Sequence, residues 1–292
     1  MASNPGPYNV DVVSSLGPRR FLLAFDASSV GGGLVRGKKL KAISVVPLSR
    51  GALNPSAQEG NLARPNEVVE AVRSVAATLR ASSLAARVLL PAGVARIMLL
   101  DAPGGGLDPR EFTRFRLAKS LPYPEGEAVV DRVPLRGERS LGVAIRKAIV
   151  ESYEALLTRA GLVQERIDLT PVAALLGLEG GRTKGDTAFV ILGDGAATWA
   201  VSDQTGLRAL RSRWRDPSPT EVGRLADELE RTGLLLGGAL QVRRIRVVGP
   251  GARDLIGGLV ARGLPAEPGW AMGDLPTGVD PNELPWLGAA LA

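Results

Sequence analysis

The stretch FVILGDGAATW, residues 189–199, carries an apolar strand into a turn of Gly193, Asp194, Gly195 and Ala196. A turn of that kind can aim successive backbone N–H groups at a phosphate, and a carboxylate beside it can hold a magnesium ion. The same residues also spell an ordinary β-hairpin corner. A second stretch, IRVVGPGARDLIGGLVARGL at 245–264, ends an apolar strand at Val248 and turns through Gly249, Pro250 and Gly251. It predicts a helix starting near Ala252. The unpaired N–H groups of a helix start attract anions, although an ordinary βα turn that needs glycine for close packing reads the same way. GGLVRGK at 32–38 matches most of a phosphate-loop pattern, but Lys39 stands where Ser or Thr must reach magnesium, and the segment reads as two strands. Asp101 and Asp108 flank a glycine-rich turn, which reads better as a solvated connection into a helix than as a metal loop.

The chain has no cysteine and no histidine. Disulfides, zinc sites of the usual ligand types, thiol nucleophiles and imidazole-based triads are therefore excluded. Any catalysis must use carboxylates, Lys, Tyr, Ser, Thr or a metal ion held by oxygens. The net charge is +6, and arginine supplies most of the cations, with Lys38, Lys39, Lys41, Lys119, Lys147 and Lys184 the only lysines. These cations are scattered and aromatics are 4% of residues, so no stacking platform for nucleic acid is evident. A weak attraction to an anionic membrane surface stays open. The four tryptophans, Trp199, Trp214, Trp270 and Trp286, read as core or rim residues.

Length and composition suit about two globular domains. The apolar runs, such as Leu234–Leu240, are too short to span a bilayer, and the N-terminus lacks the pattern of a secretory signal, so the expected location is cytoplasmic. Sliding residues 21–43 by 167 positions lays them on 188–210 without a gap (26 + 167 = 193). Phe25 meets Leu192, Ser28 meets Gly195, Ser29 meets Ala196 and Leu34 meets Val201. Both copies read strand, small-residue turn, strand, polar turn, strand. That repeat implies two similar halves, each offering a turn to a shared cleft. Between them, NEVVEAVRSVAATLR at 66–80 predicts an amphipathic helix. Asp108, Pro109 and Glu111 mark a helix start, and KAIVESYEALLTRAGL predicts a helix closed by Gly161.

With these pieces in place, the chain resembles the actin-like ATPase superfamily, and within it the PilM-like proteins of type IV pilus assembly. The most specific stretches are LPAGVARIMLL, AKSLPYPEGEAVVDRVPL, VAIRKAIVESYEALLTRAGL, IDLTPVAALLGL and the ending VDPNELPWLGAALA. GspL-like proteins of type II secretion share the architecture. The resemblance implies an α/β actin-like fold of two ribonuclease-H-like halves with an inserted α+β (strand-helix-strand-strand) subdomain. The expected boundaries are a flexible arm at 1–20, a first half at 21–92 and 163–182, the insertion at 93–162, and a second half at 183–292.

In that superfamily two meander turns clamp the nucleotide phosphates, and the third turn lies against adenosine. The resemblance thus assigns Asp26, Ser28 and Ser29 to the first turn, with Asp26 holding magnesium through water. Gly195 and Ala196 fall in the second, and Gly249, Gly251 and Ala252 in the third. Each turn departs from the usual spelling. Ser28 stands where glycine lets a backbone approach a phosphate. Gly193 replaces an aspartate, with Asp194 one residue late and expected to face away from the cleft. Pro250 removes an N–H donor.

The first expectation is therefore a scaffold that binds the cytoplasmic tail of a PilN-like single-span inner-membrane protein, together with other pilus-assembly proteins. It would have no cofactor and no nucleic acid, and would reach the inner face of the membrane through partners. The alternative is an active ATPase using ATP with magnesium, and a nucleic-acid binder ranks behind both.

Overall fold

The computed structural model describes residues 20–37, 39–179, 186–215, 220–235, 242–270 and 280–291. The arm expected over 1–20 lies outside them except for Arg20, and so does the expected boundary between halves at 182/183.

The repeat builds two sheets of one topology. In the first half, β1 (Arg20–Asp26), β2 (Ser29–Arg36) and β3 (Lys39–Pro47) form an antiparallel meander, extended by β4 (Ala86–Leu90) in the order β3-β2-β1-β4-β8. Here β8 is Gln164–Leu169, and β1, β4 and β8 run parallel. In the second half, β9 (Thr187–Leu192), β10 (Ala196–Asp203) and β11 (Gly206–Trp214) repeat the meander. With β12 (Arg244–Val248) and β13 (Ala266–Pro268) the order is β11-β10-β9-β12-β13. The displacement of 167 residues holds at both ends of the second strands (29 + 167 = 196; 36 + 167 = 203). It also holds at the irregularity in pairing, between Leu34 and Val35 in one half and between Val201 and Ser202 in the other.

Parallel neighbours need a crossover, and helices supply it. α1 (Pro65–Thr78) joins β3 to β4, and α5 (Glu221–Leu235) joins β11 to β12. α6 (Ala252–Ala261) carries β12 to β13, and its counterpart in the first half is α3 (Lys147–Ala160), which packs on α1 and leads into β8. The inserted sheet therefore ends at Arg146. Its strands are β5 (Ala95–Leu100), β6 (Ala128–Pro134) and β7 (Ser140–Arg146), in the order β5-β7-β6, with α2 (Pro109–Ala118) on one face. Sequence expectation carried the insertion to 162. The helix at 147–160 instead completes the parent βαβ unit, because β4 and β8 run parallel and α3 is the helix between them. Asp108 caps α2, its side chain accepting from the N–H groups of Arg110 and Glu111, and left-handed Gly161 closes α3.

The chain end also crosses back. After the second half, residues 280–291 return to the first half, where Trp286, Leu287, Ala289 and Ala290 are buried in its core beside α4 (Thr170–Glu179). The run Gly31-Gly32-Gly33 makes room on both faces of β2. A Cβ on Gly33 would lie 2.9 Å from the Trp286 ring, and one on Gly32 would lie 2.4 Å from Val75 of α1. Trp286→Ala is expected to lower stability by about 3–5 kcal/mol through the cavity it leaves. Gly33→Val is expected to be destabilising too, by forcing the indole out. Urea unfolding measures both, and a shift below about 1 kcal/mol for Trp286→Ala would refute this packing.

Candidate functional site

Three turns converge where the halves face each other. The first joins β1 to β2, with Asp26 ending one strand and Ser29 starting the next. Asp26 Oδ1 accepts from the Ala27 N–H at 2.9 Å, which fixes its carboxylate over the turn. The second joins β9 to β10, closed by Gly193 N–H donating to the Ala196 carbonyl at 2.8 Å. The third follows β12. There Gly249 has φ +111°, and a Cβ would lie 1.9 Å from the Leu192 carbonyl oxygen, so only glycine fits. That contact sets the third turn against the end of β9. Ala252 N–H donates to Gly249 O at 2.9 Å, and α6 begins.

The first two turns are bonded to each other across the halves. The Asp194 N–H donates to both Asp26 oxygens at 3.2 Å. The Ser28 N–H donates to Asp194 Oδ2 at 3.0 Å, and the Ser28 hydroxyl donates to the same oxygen. The expectation that Asp194 faces away from the cleft is thus overturned. β9 ends at Leu192 and β10 starts at Ala196, so Asp194 sits in the turn, where strand alternation does not apply.

The third turn is bonded in the same manner. Gly249 N–H donates to Asn282 O at 2.5 Å, Gly251 N–H donates to Glu283 Oε2 at 2.8 Å, and Pro250 has no N–H. Arg215 ties the second turn to α5 and lies beside the third. Its Nη1 donates to Gly193 O at 3.1 Å, its own N–H donates to Gly195 O at 3.2 Å, and its Nε donates to both oxygens of buried Glu221 at 3.1 Å. Its Nη2 lies 3.1 Å from where a Gly251 Cβ would stand. Trp214, 69% exposed, sits at the rim beside Gly195.

All eight residues singled out in the sequence lie on these turns: Asp26, Ser28 and Ser29 on the first, Gly195 and Ala196 on the second, Gly249, Gly251 and Ala252 on the third. Sequence reasoning missed Asp194, Arg215 and Glu283 as their polar partners. For Arg215, a pairing with Glu221 and with carbonyls of another turn leaves no local pattern.

Burial, and then the neighbouring Asp194 charge, push the Asp26 carboxyl up to about 7, against N–H donation from Ala27 and Asp194 and the charge of Arg215. Tyr153 of α3 lies close by, buried, with its ring edge-on to Phe25 at 5.1 Å and its hydroxyl without a hydrogen-bond partner among the described residues. Burial and then the Asp26 charge hold that phenol above its ordinary range. The cavity left between the halves, lined by Asp26, Gly93, Thr170, Gly193, Gly195 and Thr198, is about 20 Å³, room for about one water. The carboxylates of the first two turns, Asp26 and Asp194, are bonded to turn N–H groups.

A second contact joins the halves, away from the cleft. Arg139, on the β6–β7 hairpin, donates through Nη1 to Leu207 O at 2.8 Å and through Nε to Asp101 at 2.8 Å. The Arg136 carbonyl lies 2.9 Å from where a Cβ on Gly206 would be.

Two five-stranded sheets of one topology, meander turns facing across a cleft and a glycine-rich third turn define the actin-like ATPase fold, and this chain has it. Among solved structures, it is similar to one described as the PilM-PilN type IV pilus biogenesis complex. The two are 20% identical with a TM-score of 0.72, over 93% of this chain and 97% of that one. It is also similar to a Bacteroides thetaiotaomicron protein of actin-like ATPase fold and unknown function, at 9% identity and a TM-score of 0.56, covering 83% and 87%. A third is the cytoplasmic domain of EpsL, an inner-membrane component of the type II secretion system of Vibrio cholerae, at 11% identity and a TM-score of 0.53, covering 94% of each. No protein-family model matches the chain, and no curated protein matches it in sequence.

The Asp26 environment has a measurable consequence. The folded carboxyl holds its proton up to about 7, whereas the ordinary value is 3.8, so the folded state binds more protons in between. Stability therefore falls as pH rises from about 4 to about 7, and the cost is complete above that. Asp26→Asn keeps the acceptor for the two N–H groups and removes the charge. Because Asp26 is only half-buried, the gain over the parent at pH 8 should be about 1–2 kcal/mol, shrinking toward pH 4. Urea unfolding of both proteins across that range checks it, and parallel pH profiles would contradict the assignment.

Proposed function

We propose that this protein is a cytoplasmic scaffold of type IV pilus or type II secretion-like assembly, which binds the cytoplasmic tail of a PilN-like single-span inner-membrane partner and meets the membrane complex through it. The similarity to the PilM-PilN complex and to cytoplasmic EpsL supports the assembly role. The observation that carries the scaffold reading is the state of the three turns. Asp194 takes the donors of the first turn, Asp26 takes the Asp194 N–H of the second, and Glu283 takes the Gly251 N–H of the third. The halves are braced at the cleft and clasped again through Arg139. Turnover in this fold needs a metal held by carboxylates and a water aligned for attack, placed by groups free to face the phosphates. A body braced this way presents surfaces at fixed positions without a nucleotide.

The partner tail is proposed to lie on the side of the first half next to the inserted subdomain, apolar side chains buried under a polar rim. Calorimetric titration with a synthetic tail peptide should give saturable binding near one to one, unchanged by ATP with magnesium. Full binding after deletion of the inserted subdomain, residues 95–146, in a protein that still unfolds cooperatively would place the partner elsewhere.

The second reading, an ATP-binding and hydrolysing enzyme, is favoured by the retention of Asp26 and of all three turns in order. It predicts micromolar binding of magnesium ATP that Asp26→Ala abolishes, with steady phosphate release. The scaffold reading expects neither, and that pattern in titration and release assays would reverse the ranking.

A further inference from the structure

Helix α2 holds to the inserted sheet with a narrow stripe. Only Thr113 and Leu117 are buried, and they pack over Gly142 of β7. The opposite side carries Phe115, 58% exposed, and the loop leading into the helix carries Leu107, also 58% exposed. Cations surround these apolar groups. Lys119 Nζ lies 4.6 Å from the Phe115 ring centre, and the Arg116 guanidinium lies 5.7 Å from that of Phe112. Arg110, Arg114, Arg116 and Lys119 enter none of the ion pairs formed among the described residues. Within α2 and its cap the acids are Asp108, which bonds the Arg110 N–H at 2.6 Å, and Glu111.

We propose that this outer face of α2 docks directly on an anionic lipid surface. The shape and charge both point there. The face is a helix side on the outside of a small sheet with two protruding apolar side chains, which suits a flat boundary and offers no groove for a peptide. A bilayer interface accepts a Phe and a Leu among the headgroups while Arg and Lys meet lipid phosphates, each cation adding attraction that salt screens. The cations already seated on the aromatic faces stay within reach of both phases. This contact is independent of the scaffold reading, in which the membrane is met only through a partner.

The test is sedimentation of the full chain with vesicles of phosphatidylcholine alone and of phosphatidylcholine mixed with phosphatidylglycerol. The bound fraction on the anionic vesicles should exceed that on neutral ones by about tenfold at low salt and fall as salt is raised. Arg114→Glu with Arg116→Glu should abolish the difference, and Phe115→Ser should weaken anionic binding by about fivefold. Leu107→Ser, outside the helix, gives a second apolar variant should Phe115→Ser disturb α2. Unchanged far-UV circular dichroism and unfolding midpoints confirm that the variants are folded. Equal sedimentation with both vesicle types, or variants that bind as the parent does, would overturn the proposal. An oligonucleotide bound by the parent and lost in the double charge reversal, without vesicle binding, would overturn it in favour of nucleic acid.

Discussion

Backbone N–H groups that look into a cleft are paired by water or by the protein, and one left buried and unpaired costs about 1–3 kcal/mol. Here the acceptors are the chain's own carboxylates. Asp194 receives the N–H and hydroxyl of Ser28, Asp26 receives the N–H of Asp194, and Glu283 receives the N–H of Gly251. Each bond joins segments far apart in sequence, the first two separated by 166 and 168 residues. The same bonds that satisfy the turns therefore hold the halves together. They also set two carboxylates against each other, and the arrangement persists because Arg215 and the turn N–H groups offset part of the repulsion, while Asp26 keeps a proton up to about 7.

Around this brace, glycine supplies space. Gly249 lets the third turn reach within contact of the Leu192 carbonyl, which no side chain would permit. Gly31 and Gly33 open one face of β2 to the Trp286 ring, and Gly32 opens the other to α1. The glycines that resemble part of a phosphate loop in the sequence thus serve packing. The returning C-terminal segment, which inserts Trp286 into the first half, also brings Asn282 and Glu283 to the third turn. One short stretch of chain thereby fastens the core of one half and closes the donors of the other.

The insertion adds a second restraint. Its sheet buries one face against the main core, through Leu141 and Ile145, and its hairpin reaches across to β11 through Arg139. The halves are fixed at the cleft floor and at the hairpin, a geometry suited to holding surfaces in register. α2, on the remaining face of the insertion, is left with its aromatic and basic side outward.

The sequence alone determined the two-half architecture, because a meander repeats its lengths and its apolar alternation, and a displacement of 167 residues survives with little residue identity. Caps were legible for the same local reason: Asp108 before Pro109 and Gly161 after α3 act on neighbours within a turn. The positions of the three turns followed from strands running into small residues. What those turns do was decided only in three dimensions. Asp194 was misread because alternation governs strands and not the turn between them, and Arg215, Glu221 and Glu283 have no pattern that signals their partners. The membership of α3 and of the chain end also depended on the fold, since a helix or a buried tryptophan carries no mark of which sheet it will cover. Local signals end at a few residues, whereas the bonds that join the first two turns span more than half the chain, and only the folded backbone brings their ends together.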